Sequence, residues 1–236
     1  MKRGIFITVE GGEGVGKSTQ IGILGKKLKA KGYDVVETHD PGGTKIGGRI
    51  RSIVLEKEHK ELSQETELLL FLAARAQLVQ EIIIPNLAAG KIVISDRFYH
   101  STYAYQGGAR GIEFETVKAL NEFAISGTRP DITFLLDLTP DLGFKRMEPK
   151  SNKERAILEE QVTLSLHLPS DNQRINIDRI EREGDKFHEE VRNSFLRLAS
   201  IEPERIVVID SARPKEEVAS QIENRVLQLL DERSRQ

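Results

Sequence analysis

Gly11 and Gly16 are separated by four residues, and Gly16 is followed by Lys17, Ser18 and Thr19. Glycines at that spacing let backbone N–H groups crowd around phosphate oxygens, and a helix starting at Lys17 adds its positive end. Lys17 would reach the β- and γ-phosphates of a nucleoside triphosphate, and Ser18 would hold Mg²⁺. The stretch Gly11, Gly12, Glu13, Gly14, Val15, Gly16, Lys17, Ser18, Thr19 lies between the strand-like run "IFITVE" and an amphipathic run, the context such a cradle requires. ATP is the default ligand. Glu13 brings a carboxylate into the loop, where it is expected to face away from the phosphates.

Further groups of matching chemistry follow other apolar runs. Asp96 and Arg97 come directly after "KIVIS". Asp96 would reach Mg²⁺ through water, and Arg97 offers a planar fork to phosphate. "HDPGGT" (39–44) is a tight turn opening a helix, with Asp40 in it. Phe71 and Arg75 are four apart, so one helical face carries both a flat ring and a guanidinium. Ser101, Thr102, Tyr105 and Gln106 are neutral groups able to read a base edge or a sugar. Two anionic ligands at one site are implied, a triphosphate and a second phosphorylated molecule. A P-loop ATPase switch is the alternative, but the third strand end then needs a water-orienting residue, and Arg97 suits an anionic acceptor better.

These residues need a frame. Runs at 4–10, 34–40, 91–96, 132–138 and 205–210 are β-branched and nearly continuous, as in strands buried on both faces. Helical periodicity occupies 17–31, 64–89, 114–126, 179–200 and 215–232. The alternation predicts an α/β fold, a five-stranded parallel sheet with helices on both faces, doubly wound, with ligands beyond the carboxyl ends of the strands. The 236 residues suit a single domain over 1–236. A polar, charged segment at about 147–178 interrupts the rhythm. Within it 153–161 suggests a short helix, and 163–168 with 173–177 a hairpin across "PSDN".

The formal charge of −2 gives no global basic field, so nucleic acid is not an expected partner. No apolar run is expected to cross a membrane. The chain has no cysteine, which excludes disulfides, thiolate zinc sites and a cysteine nucleophile. With an N-terminus that leads directly into a strand, the expected location is cytoplasmic.

Taken together, "EGGEGVGKST", "DPGGT", "LFLAARAQL", "SDRFYHSTYAYQGG", "RPDITFLLDLTPDLGFKR", "DRIE" and "IVVID" resemble the thymidylate kinase (dTMP kinase) family, over roughly 4–147 and 178–232. The resemblance implies transfer of phosphate from Mg-ATP to dTMP by a homodimer packed through long helices such as 64–89. It implies that Glu13 lies near the acceptor's 3′-hydroxyl and that Phe71 stacks on thymine. Arg75 would meet the dTMP phosphate or base, and Arg97 would lie between the two phosphates. Thr102 would sit near the base edge, Tyr105 would crowd the 2′ carbon, and Gln106 and Arg110 would line that pocket. Arg146 would lie near the ATP base. The cradle holds no arginine at 14 or 15, so an arginine of the 147–178 segment or its margin is expected to serve: Arg155, Arg174 or Arg179. Where the family writes Arg-Glu-Pro-Gly-Gly-Thr, this chain has His39-Asp40-Pro41, and Asp40 is expected to meet a magnesium water or Arg97.

Overall fold

The computed structural model describes residues 3–148 and 178–235. Five parallel strands form one sheet: β1 (Phe6–Glu10), β2 (Val35–His39), β3 (Ile92–Asp96), β4 (Ile132–Asp137) and β5 (Ile206–Asp210), in the order β2-β3-β1-β4-β5. All five expected strands are present, each shortened by one or two residues. Their unbroken apolar character has a direct cause. Ile7, Val9, Ile94, Phe134 and Leu136 pack on one side, while Phe6, Val93 and Leu135 pack on the other. Both faces are dry, so no polar alternation is possible.

Helices α1 (Lys17–Ala30) and α8 (Lys215–Ser234) cover the first face through Leu24, Leu28, Val218, Ile222 and Val226. The second face is covered by α3 (Gln64–Ala88) and α7 (Asp185–Ile201). Between these come α2 (Lys45–Leu55), α4 (Tyr99–Thr102), α5 (Phe114–Ile125) and α6 (Pro140–Met147). The expected helix from 179 begins only at Asp185. The Asp178 side chain accepts from the N–H groups of Ile180 and Glu181, both at 2.9 Å, and this local turn competes with helix. The helix at 153–161 and the hairpin at 163–177 lie outside the described residues.

Two helices carry wide, π-type turns. In α3 the widening spans Val79–Ile83, just before Pro85, where the ring has no N–H to give and needs extra room. After α4 a second one spans Tyr103–Ala109 and turns Tyr105 and Gln106 toward the sheet's carboxyl end. By length and composition α3 is apolar enough to cross a membrane, contrary to the expectation for this sequence, yet 44% of its apolar window is buried within the chain.

Candidate active site

Register places the strand ends side by side: Asp96 of β3 pairs with Val9 of β1 and with His39 of β2. The loop after β1 and the turn after β3 therefore share one crevice. Gly16 caps α1 at φ +96, and α1 has no side-chain cap, so its first N–H groups face the loop. Val15 gives the cradle backbone only, since its side chain sits in the core and its carbonyl accepts from the Ser211 hydroxyl at 2.5 Å. Lys17 Nζ donates to the carbonyls of Gly12 (2.6 Å) and Gly11 (3.2 Å). Burial, then the charge of Arg97, pushes the Lys17 ammonium below its usual range.

Ser18 Oγ donates to Asp96 Oδ2 at 2.8 Å. These two oxygen groups fit Mg²⁺, a hard ion that keeps several waters and takes few protein ligands. No group of three or more His, Cys, Asp or Glu side chains gathers for a metal among the described residues.

Arg97 occupies a left-handed backbone position at φ +66, rare for a residue with a side chain. The turn is held from several directions. Arg97 N–H donates to Val9 O at 3.0 Å, Ser95 Oγ donates to Arg97 O at 2.8 Å, and Phe98 N–H donates to Glu10 Oε1 at 2.8 Å. The guanidinium then donates to Gly11 O at 2.9 Å and to Glu13 Oε1 at 2.7 Å. It lies over the Tyr105 ring, 5.0 Å from the centroid, and the Tyr105 hydroxyl donates to the same Glu13 oxygen at 2.7 Å. Burial pushes the Glu13 carboxyl up, but Arg97 and Lys17 outweigh it and draw it down to about 2. Glu13 is thus a fixed anion that positions two other side chains.

Two cavities meet here. The larger runs along the cradle past Lys17, Ser18 and Asp96 to Arg146. Arg146 donates to Ser211 O at 2.9 Å. The smaller is lined by Phe71, Arg75, Thr102, Tyr105 and Gln106, with Ser101 near Arg97. Glu13, Asp40, Arg51 and Arg97 line both. Phe71 and Arg75 share a face as their spacing requires. Arg75 is 1% exposed, and its donors are engaged by Asp40 (2.5 Å), Thr102 (2.7 Å), Asn121 (2.7 Å) and the Phe98 carbonyl (3.3 Å). Asp40 therefore meets Arg75 rather than Arg97. Its second oxygen, Oδ1, is buried with no partner among the described residues.

Arg110 stands outside the smaller cavity. It pairs with Glu67 (3.1 Å) and Glu183 (2.6 Å) and lies 4.7 Å from the centroid of the Phe187 ring. Arg179 is committed to Glu67 (2.5 Å) and the Val54 carbonyl (3.3 Å). Arg155 and Arg174 lie outside the described residues. Several site residues escaped sequence reasoning. Arg51 is half-buried between the cavities, with its Nε buried and unpartnered among the described residues, and its Nη1 donates to Pro41 O at 2.9 Å. Asp178 and Glu181 line the smaller cavity. Glu10 is wholly buried and accepts from Phe98 N–H and from the Ser101 hydroxyl at 2.6 Å. Its signal was present, an acid ending an apolar strand, as Asp96 ends β3.

A phosphate cradle on the first strand of a parallel sheet, beside a second cavity that shares two arginines with it, defines a P-loop protein built for two phosphorylated ligands. Residues 9–167 match the family model described as thymidylate kinase. The thymidylate kinase of Pelobacter propionicus (strain DSM 2379 / NBRC 103807 / OttBd1) is 43% identical over 225 residues, covering 95% of this chain and 94% of that protein. That of Pseudomonas fluorescens (strain Pf0-1) is 40% identical over 228 residues, covering 97% of each. That of Desulfosudis oleivorans (strain DSM 6200 / JCM 39069 / Hxd3) is 43% identical over 221 residues, covering 92% of this chain and 94% of that protein. The chain belongs to the thymidylate kinase family.

Proposed function

We propose that this protein transfers the γ-phosphoryl group of ATP to the phosphate of dTMP, giving ADP and dTDP. The observation that carries the reading is the junction of the two cavities, where Arg51 and Arg97 face both. A triphosphate on the cradle and a monophosphate in the smaller cavity would bring their phosphates together between those guanidiniums.

The acceptor oxygen is already anionic, so it attacks the γ-phosphorus without a strong general base, and the bond to ADP breaks in line. The protein's part is alignment and neutralisation of charge. Lys17 and the loop N–H groups hold the donor phosphates. Arg97 and Arg51 hold the oxygens that pass between the nucleotides. Ser18 and Asp96 hold Mg²⁺, which supplies further charge neutralisation when bound. Glu13 fixes Arg97 and Tyr105 and lies where the acceptor's sugar would pass. Phe71 stacks on the base, Thr102 and Gln106 read its edge, and Arg75 backs that edge. Tyr105 crowds the 2′ carbon, and Arg146 borders the ATP base.

The protein acts as a cytoplasmic homodimer in this reading. Leu69 of α3 is 55% exposed and Phe123 of α5 is 84% exposed, on two helices that pack against each other. A second copy covering them would account for the apolarity of α3.

ADP release with Mg-ATP and dTMP, dUMP, UMP, dCMP, dGMP or dAMP tests the reaction. The expected result is turnover that requires an acceptor and prefers dTMP. Equal ADP release with no acceptor would instead make the protein a P-loop ATPase.

A further inference from the structure

Glu67 lies on α3, one turn before Phe71, and is 1% exposed. It accepts four hydrogen bonds from three side chains: Gln106 Nε2 at 2.8 Å, Arg110 Nε at 3.2 Å, Arg110 Nη2 at 3.1 Å and Arg179 Nη2 at 2.5 Å. Burial pushes its carboxyl up, but the bonds from Arg110, Gln106 and Arg179 outweigh this and hold it below the usual carboxylate range. It is an acceptor on both oxygens and has nothing to donate.

That fixes the one ambiguity of a glutamine. A side-chain amide can turn over and exchange its carbonyl for its N–H₂ at the same cost in space. At Gln106 the exchanged form would set a carbonyl oxygen against Glu67 Oε1 at 2.8 Å, two acceptors in contact inside a buried site. The amide is therefore locked with its N–H₂ toward Glu67. No described residue donates to Gln106 Oε1, and Gln106 lines the smaller cavity.

We infer that Glu67 is a positioning residue for base choice, which fixes Gln106 as a hydrogen-bond acceptor toward the bound nucleotide. The inference rests on the dTMP kinase reading. An acceptor here suits a base with a ring N–H on that edge. Thymine carries such a hydrogen on N3, whereas cytosine presents a lone pair there. Gln106 lines the smaller cavity and Glu67 does not, so Glu67 bears on the base through Gln106.

The test compares kcat/KM for dTMP and dCMP in the unaltered protein, Glu67→Gln, Gln106→Met and the double variant. Glu67→Gln keeps shape but offers either amide face to Gln106. The expected result is a fall of about tenfold or more in the dTMP-to-dCMP ratio for each single variant, and no further fall in the double. Loss of turnover with both acceptors in equal proportion, or additive losses in the double variant, overturns the inference, because a merely structural Glu67 would behave so. Should Glu67→Gln not fold, binding of N3-methylated dTMP to the unaltered protein decides: binding about tenfold or more weaker than dTMP is expected, and equal binding overturns the inference. An unaltered protein without preference for dTMP removes the reading beneath it instead, so the two failures are distinct.

Discussion

Arg97 Nη2 and Glu13 Oε1 meet at 2.7 Å at the mouth shared by the two cavities, joining the turn after β3 to the loop after β1. The same guanidinium donates to Gly11 O at 2.9 Å, so its plane is set by the cradle itself. A lysine at 97 carries the charge but not the fork, and it cannot satisfy both partners while facing a phosphate. Arg97→Lys is expected to lower kcat about a hundredfold with ATP affinity little changed, measured by steady-state kinetics and by nucleotide titration. A kcat within a few-fold of the original would remove Arg97 from the transfer step.

Asp40 and Arg75 form a buried pair whose side chains are 0% and 2% exposed. Removing the anion leaves a guanidinium with neutral partners only, Thr102, Asn121 and the Phe98 carbonyl. Asp40→Asn is expected to cost about 3–5 kcal/mol of unfolding free energy, read from urea denaturation. Because Arg75 backs the smaller cavity, KM for dTMP should rise more than KM for ATP. An unchanged midpoint would mean that the neutral partners suffice.

Glu10 gives a dependence on pH. Burial pushes its carboxyl up to about 7 against the opposing pull of Ser101, Arg97 and the Phe98 N–H. The folded state holds the proton more tightly than the unfolded chain, so the associated stability is complete below about 4.5 and is lost as pH rises through about 7. Relative to Glu10→Gln, the unaltered protein should lose stability across that window with a slope of at most about 1.4 kcal/mol per pH unit. Turnover should run the other way, since the ionised form accepts from both Phe98 and Ser101 and holds the Arg97 turn. Parallel stability profiles for the two proteins would mean that Glu10 stays ionised throughout.

The exposed faces of α3 and α5 make a separate prediction about assembly. Leu69→Asp with Phe123→Asp puts charge on the uncovered apolar surface without touching the sheet. Sedimentation should show a dimer for the unaltered chain and a monomer for the double variant. A chain that sediments as a monomer before substitution ends the dimer proposal.

The sheet was legible because its strands are apolar on both faces, which leaves a continuous signal. The cradle was legible because Gly11 to Ser18 act through local spacing, and Asp96 and Arg97 because they end a strand. Reach failed where a residue's role depends on packing between distant segments. Arg110 reads as one more pocket arginine, yet Glu67, 43 positions away, turns it aside. Of the two partners expected for Asp40, Arg97 is not the one it meets: Arg75, buried on α3, takes its Oδ2. Glu67 and Arg51 had no local pattern to mark them. The delayed start of α7 turns on a short Asp178 side chain capturing two N–H groups, which helical periodicity does not register.

The loop after β1 and helix α6 touch backbone to backbone. At Gly14, φ is +65, and an added Cβ would lie 2.0 Å from Gly143 O; one at Gly143 would lie 2.2 Å from Glu13 O. Arg146 sits one turn further along α6, in the same cavity as Lys17. The spacing between the cation at the far end of the donor cavity and the one at its phosphate end is thereby a property of main chain, insensitive to side-chain drift. Variation in this chain can change the side chain at position 146 by itself, but changing the length of that cavity would require rebuilding two segments together.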